Sequence, residues 1–145
     1  MARHRVNPSD SRYYFEWMEN ASEDIYVADI LLDNEKCRNS CAFHCQQAIE
    51  KALKAYLLLL SGKLMDGHNL TWLCRQALKY DGQFEEYFDE SSSLNRYYIE
   101  TRYPADIPLK LTKDEINRIF NMAKDMYDFI ETQVDEEEDM DQGQY

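Results

Sequence analysis

Glycine and proline are scarce in this chain of 145 residues, at four and three respectively. That excludes collagen-like, linker-rich and low-complexity architectures, which need either residue in quantity. Long apolar runs are missing too: the longest wholly apolar stretch is Ala55 to Leu60, far short of the ~20 residues a membrane span needs. The basic N-terminal Met1-Ala2-Arg3-His4-Arg5 is followed by no hydrophobic stretch, so no secretory signal is expected. No internal repeat occurs, and no segment alternates apolar and polar residues as a strand would. Positive charge is also in deficit. The formal net charge is −12, and residues 131–145 hold seven acids and no base. Removing those seven leaves −5 for the body. A broad nucleic-acid-binding surface is therefore not expected, because such affinity comes mainly from neutralising phosphates; a small basic cleft is still allowed.

What is present suits a single globular domain. A hydrophobic share of 44% with 30% charged residues is enough for one core at this length. Cys37, Cys41, Cys45 and Cys74 make up the cysteines. Three of them follow at spacing four along one expected helix, where fixed Cα separations make poor disulfide partners. Reduced thiols in a cytoplasmic protein are the simpler expectation.

The spacing predicts helices throughout. Tyr14, Trp17, Met18, Ala21, Ile25, Ala28 and Leu32 mark one buried face of a first helix over about 13–32. A second, over about 36–60, carries Cys41, Cys45, Ala48, Ala52, Ala55 and Leu59 on a face of mostly small residues. Phe43, Leu53, Leu57 and Leu60 lie on another, so this helix should sit centrally. Ser61-Gly62 should end it. Asn69 should cap a short third helix with Leu70, Leu73 and Ala77 inward. Asp81-Gly82 reads as a turn. A fourth helix carries Phe84, Tyr87 and Phe88 and weakens at Ser91-Ser92-Ser93. Thr112 and Glu115 should form a capping box for the fifth, whose face is Ile116, Ile119, Phe120, Ala123, Tyr127, Ile130 and Val134. The expected fold is all-α, an up-and-down antiparallel four-helix bundle with one additional short helix. Residues 1–11 should be a flexible N-terminus, 12–134 the bundle domain, and 135–145 an acidic disordered tail.

The residue cluster that packing explains least is Leu94-Asn95-Arg96-Tyr97-Tyr98-Ile99-Glu100-Thr101-Arg102-Tyr103-Pro104. Arg suits planar, bidentate contact with phosphate, and Tyr offers a face on which a base stacks. A structural alternative stands beside it: Arg102 pairs with an acid while Tyr98 and Tyr103 pack at a dimer seam, since Tyr and Arg also favour interfaces. Metal binding reads poorly. Cys37, Cys41, His44 and Cys45 lie on one helix, and ligands from one straight helix cannot wrap a tetrahedral ion. His44 has no nucleophile and orienting group beside it in sequence. His68 precedes a helix N-terminus, where an interhelical hydrogen bond and an anion contact are both open. Gln46, Gln47, Lys51 and Lys54 form a polar stripe whose default is a solvated face; the alternative is that Gln47 and Lys51 border a cleft that Arg96 enters.

The Arg/Tyr segment resembles the RYP element of the HEPN domain family (higher eukaryotes and prokaryotes nucleotide-binding). Ala42-Phe43-His44-Cys45-Gln46-Gln47-Ala48-Ile49-Glu50-Lys51-Ala52-Leu53-Lys54-Ala55 and Gly67-His68-Asn69-Leu70 fit the same family in the same order, so the likeness covers about 12–134. Many HEPN proteins are metal-independent endoribonucleases, in which an Arg and, four to six residues later, a His from two protomers build one site. The resemblance places Arg96 at the family Arg. None of Glu100, Thr101, Arg102 and Tyr103 is a histidine, and no His follows His68. Arg cannot stand in, because its pKa is too high for acid–base work near neutrality. The resemblance thus implies a non-catalytic or regulatory homodimer without a cofactor. It would bind a nucleotide or other phosphate-bearing ligand through Arg96, Tyr97, Arg102, Tyr103, His68, Gln47 and Lys51. A minimal nucleotidyltransferase partner, as in toxin–antitoxin modules, is implied as well, with Tyr103 the nearest candidate for nucleotidylation. The alternative is a ribonuclease toxin with a degenerate motif, Arg96 and Arg102 being its catalytic candidates and His68 or His44 the stand-in base.

Overall fold

The computed structural model describes residues 10–98, 104 and 109–142. The fold is all-α: α1 (Tyr14–Leu31), α2 (Arg38–Ser61), α3 (Leu70–Leu78), α4 (Phe88–Asn95) and α5 (Lys113–Gln142), with no strand among the described residues. Short 3₁₀ turns at Glu35–Cys37, Gly82–Tyr87 and Arg96–Tyr98 join or extend them. α2 is the central element, packed along α1 on one side and α5 on another. Its small face is fully buried at Cys41, Cys45, Ala48, Ala52 and Ala55, which allows close helix approach. The Cys45 thiol is pushed well above its ordinary pKa by its hydrogen bond to Cys41 and by burial, so it behaves as a small core residue.

The ends of the elements follow local chemistry. Gly62 takes φ 73° and closes α2, its N–H bonded to the Leu58 carbonyl, a left-handed cap that glycine adopts without strain. The Asn69 side chain accepts from the Trp72 N–H at 3.0 Å and starts α3. Thr112 and Glu115 exchange side-chain-to-backbone bonds of 3.1 and 3.2 Å ahead of α5, the reciprocal capping box.

Three details depart from the sequence expectation. Phe84 and Tyr87 lie in a 3₁₀ turn, and α4 begins at Phe88 and runs through Ser91-Ser92-Ser93. Ser91 is fully buried there and its hydroxyl donates to the Tyr87 carbonyl at 2.8 Å, so the serine is used inside the helix rather than weakening it. The polar stripe of α2 is solvated only in part: Gln46 and Lys54 are buried, while Gln47 and Lys51 are half-buried. Where an acidic disordered tail from 135 is expected, α5 continues to Gln142. Val134 is buried, and Glu138 near the end of α5 is close enough to the Tyr14 hydroxyl at the start of α1 to help raise its pKa, so antiparallel packing carries the helix onward.

Candidate functional site

Two nearly buried carboxylates organise the polar side of α2. Asp24 comes from α1, with His44 Nδ1 at 2.9 Å from one oxygen and Lys51 Nζ at 2.7 Å from the other. The lysine contact is ionic, its angle lying outside hydrogen-bond alignment. Glu50, on α2 itself, meets His68 Nδ1 at 2.8 Å and accepts from Gln46 Nε2 at 3.2 Å and Lys54 Nζ at 3.2 Å. Burial pushes the Glu50 carboxyl up, but the His68 and Gln46 bonds and the Lys54 and His68 charges together hold it below the usual glutamate range. A buried charge is tolerated only when so surrounded. The sequence reading passed over Glu50. Its only signal was an acid four residues before a lysine, the i,i+4 pairing of an exposed helix face.

His68 enters from the turn before α3. Gly67 has φ 89°, a conformation glycine reaches readily, and it lets the chain turn so that His68 faces α2. Gln46 Nε2 also bonds the His68 carbonyl at 3.4 Å. The imidazole then stacks on Tyr98, ring centroids 4.1 Å apart and 16° from parallel. Tyr98 in turn lies 6.4 Å from Phe43. The two chain segments are locked together by Asn95. Its carboxamide oxygen accepts from the Leu70 N–H. Its Nδ2 donates to Asn69 Oδ1 at 3.2 Å and Thr71 Oγ1 at 3.0 Å. Asn95 was not singled out from sequence, because its role exists only once α3 and α4 are side by side.

The expected ligand residues fall into three groups. Arg96 is exposed with its guanidinium 5.4 Å from the ring centre of buried Tyr97. Gln47, Lys51 and His68 line a cavity of about 190 Å³ together with Trp17, Glu50 and Lys54; Arg96 is not among the described residues of its wall. Arg102 and Tyr103 lie outside the described residues. No metal-ligating group of three or more side chains occurs among the described residues. The Arg96–Tyr98 turn therefore carries an exposed guanidinium against Tyr97 and, two residues on, the ring that stacks on His68. The Glu50 bond to Nδ1 fixes the imidazole's orientation. No described helix is long and apolar enough to cross a membrane.

The sequence profile of the HEPN domain matches residues 14–133. The chain belongs to the HEPN family. Its similarity to the Methanocaldococcus jannaschii protein named "Putative toxin MJ1304" is 30% identity over 96 residues, 61% of each chain. The chain thus matches about three fifths of that relative's length. In three dimensions it resembles TT1696 from Thermus thermophilus, with a TM-score of 0.73 and 27% identity over 84% of this chain and 98% of that one. The archaeal HEPN homologue ST0689 superposes with a TM-score of 0.67 at 19% identity over the same shares. In this HEPN chain the turn holding His68 and the turn holding Arg96 meet at α3 and α4.

Proposed function

We propose that this HEPN protein is a binding or regulatory member that holds a phosphate-bearing ligand, a nucleotide in the first instance, at the Arg96–Tyr98 turn. The observation that supports this reading most directly is the stack of Tyr98 on His68 next to the exposed Arg96. A guanidinium takes phosphate oxygens and a neighbouring π-face takes a base. Arg102 and Tyr103 follow Arg96 closely in sequence and join the proposed site on that ground. Gln47 and Lys51, which line a cavity together with His68, form its outer boundary. The protein acts as a homodimer, and a minimal nucleotidyltransferase is the proposed partner, with Tyr103 as the residue it modifies.

Titration with ATP, read by calorimetry, tests this. Saturable binding is expected for the wild-type chain and its loss for Arg96→Ala; no saturable binding by the wild type counts against the reading.

A second reading, a metal-independent ribonuclease, has one observation in its favour: the stack brings His68 beside the Arg96 turn, although no His follows in sequence. RNA incubated in EDTA with wild type, Arg96→Ala and His68→Gln separates the two. Cleavage by the wild type alone selects the nuclease, with His68 as its acid–base group. Absence of cleavage by a folded protein leaves the binding role.

A further inference from the structure

The large apolar side chains that remain exposed are concentrated at one helix. Of the six among the described residues, Tyr13, Phe15, Tyr26 and Ile30 belong to α1 or its first flanking residue. Phe15 is 50% exposed, Tyr26 66% and Ile30 62%. At ~100° per residue these three fall within about 60° of one another around the helix, on the side opposite Ala21, Ile25 and Ala28, which face the core. Tyr13 stacks on Phe15 at 5.5 Å and extends the patch at its start. Tyr26 and Ile30 lie one turn apart, and Phe15 is about 16 Å nearer the start of the helix on the same side, with Glu19 and Ser22 between them. Single exposed apolar residues are ordinary, whereas large apolar side chains gathered on one outward side of a helix mark a contact surface.

Charge says what covers it. α1 carries Glu16, Glu19, Glu23, Asp24 and Asp29 and no basic residue. Glu19 lies within the patch, and Glu23 and Asp29 flank it, all exposed. A second copy packed symmetrically on this face would set acids against acids. RNA and an anionic membrane would be repelled for the same reason. We infer that the outer face of α1 is a docking surface for a basic amphipathic helix of a partner protein. The partner's apolar side would lie along Phe15, Tyr26 and Ile30, and its Lys or Arg side chains would reach Glu19, Glu23 and Asp29. Charge of that sign speeds encounter and sets orientation, while the apolar patch supplies the anchoring contacts.

The test uses the full-length chain and two fluorescein-labelled helical peptides of about 18 residues. One has leucines on one side and Lys/Arg on the other; its twin has Glu in place of the bases. Anisotropy should show saturable binding of the basic peptide only. Phe15→Ser/Tyr26→Ser/Ile30→Ser and, separately, Glu19→Lys/Glu23→Lys should each weaken it at least about tenfold. All these side chains are exposed, and circular dichroism should confirm folded variants. Sedimentation should be the same for wild type and variants. Equal binding of both peptides, no saturable binding, or binding unchanged in the variants overturns the proposal. Dissociation of an oligomer by the triple variant would overturn it in favour of a seam between two copies. Binding of RNA or of phosphatidylserine vesicles that the triple variant abolishes would overturn it in favour of those partners.

Discussion

Cys45 and Glu50 sit a little more than one turn apart on α2, and both are buried, yet they are held in place by different physics. Cys45 shares its face with Cys41, Ala48 and Ala52, small groups that let α1 approach until Cys41 Sγ lies 3.2 Å from the Ala28 carbonyl, and the stabilisation is packing spread over many weak contacts. Around Glu50 it is a few specific bonds, from His68, Gln46 and Lys54. The first kind of burial degrades gradually as side chains are trimmed or enlarged. The second fails abruptly when one member is removed, because what remains is a desolvated charge. The same contrast has a functional side. The small-residue face only holds helices together, whereas the Glu50 cluster anchors His68, and through its stack with Tyr98 reaches the Arg96 turn.

The largest effect should come from removing the centre of the polar cluster. Glu50→Ala leaves Lys54, 3% exposed, as a buried cation without its carboxylate, and should cost roughly 3–5 kcal/mol in urea unfolding. Glu50→Leu/Lys54→Met should recover much of that loss, and a cost under about 1 kcal/mol for the single variant would show that Lys54 escapes to water. On the opposite face, Ala48→Leu overpacks a fully buried position and should cost about 1–3 kcal/mol by the same measurement. If it proves neutral, α2 and its neighbours are packed more loosely than the contrast requires.

A pH titration of stability sharpens the comparison further. The Glu50 carboxyl lies below its ordinary value in the folded protein. Its contribution is thus fully present above the unfolded value of about 4.3 and is lost as pH falls through the lower folded value. Wild type should lose stability across that acid range more steeply than Glu50→Gln, as followed by chemical unfolding at each pH; parallel curves would mean the fold leaves the Glu50 pKa unshifted, and a shallower wild-type loss would mean it is raised. The smallest effect belongs to a site remote from both faces. Thr112→Ala removes one half of the α5 capping box and should cost about 1 kcal/mol in the same unfolding measurement.

Legibility in the sequence followed the range of each interaction. The caps at Gly62, Asn69 and Thr112/Glu115 depend on residues within three or four positions, and each occurs where spacing predicts. The solvated stripe misjudged Gln46 and Lys54 because polarity alone does not say whether a partner waits inside. The extent of α4 was misjudged because Ser91 behaves as a helix weakener until a helical carbonyl takes its hydroxyl. The Arg96-Tyr97-Tyr98 and Gly67-His68-Asn69-Leu70 segments, which the proposed site joins, were legible as separate segments. That these two meet was not.

What the amino-acid sequence determined by itself, then, is the all-α class, the order of the helices, their caps and the apolar faces they bury. Helical periodicity and capping are local rules, so a single chain displays them. The tertiary structure decided which distant polar groups share a buried space: Asp24 with His44 and Lys51, Glu50 with His68, and Asn95 with the start of α3. Those pairings join residues 18 to 27 positions apart, and no local rule reaches that far. They form because packing the helices takes the carboxylates out of water, where each is stable only beside the cations and donors that the fold delivers to it.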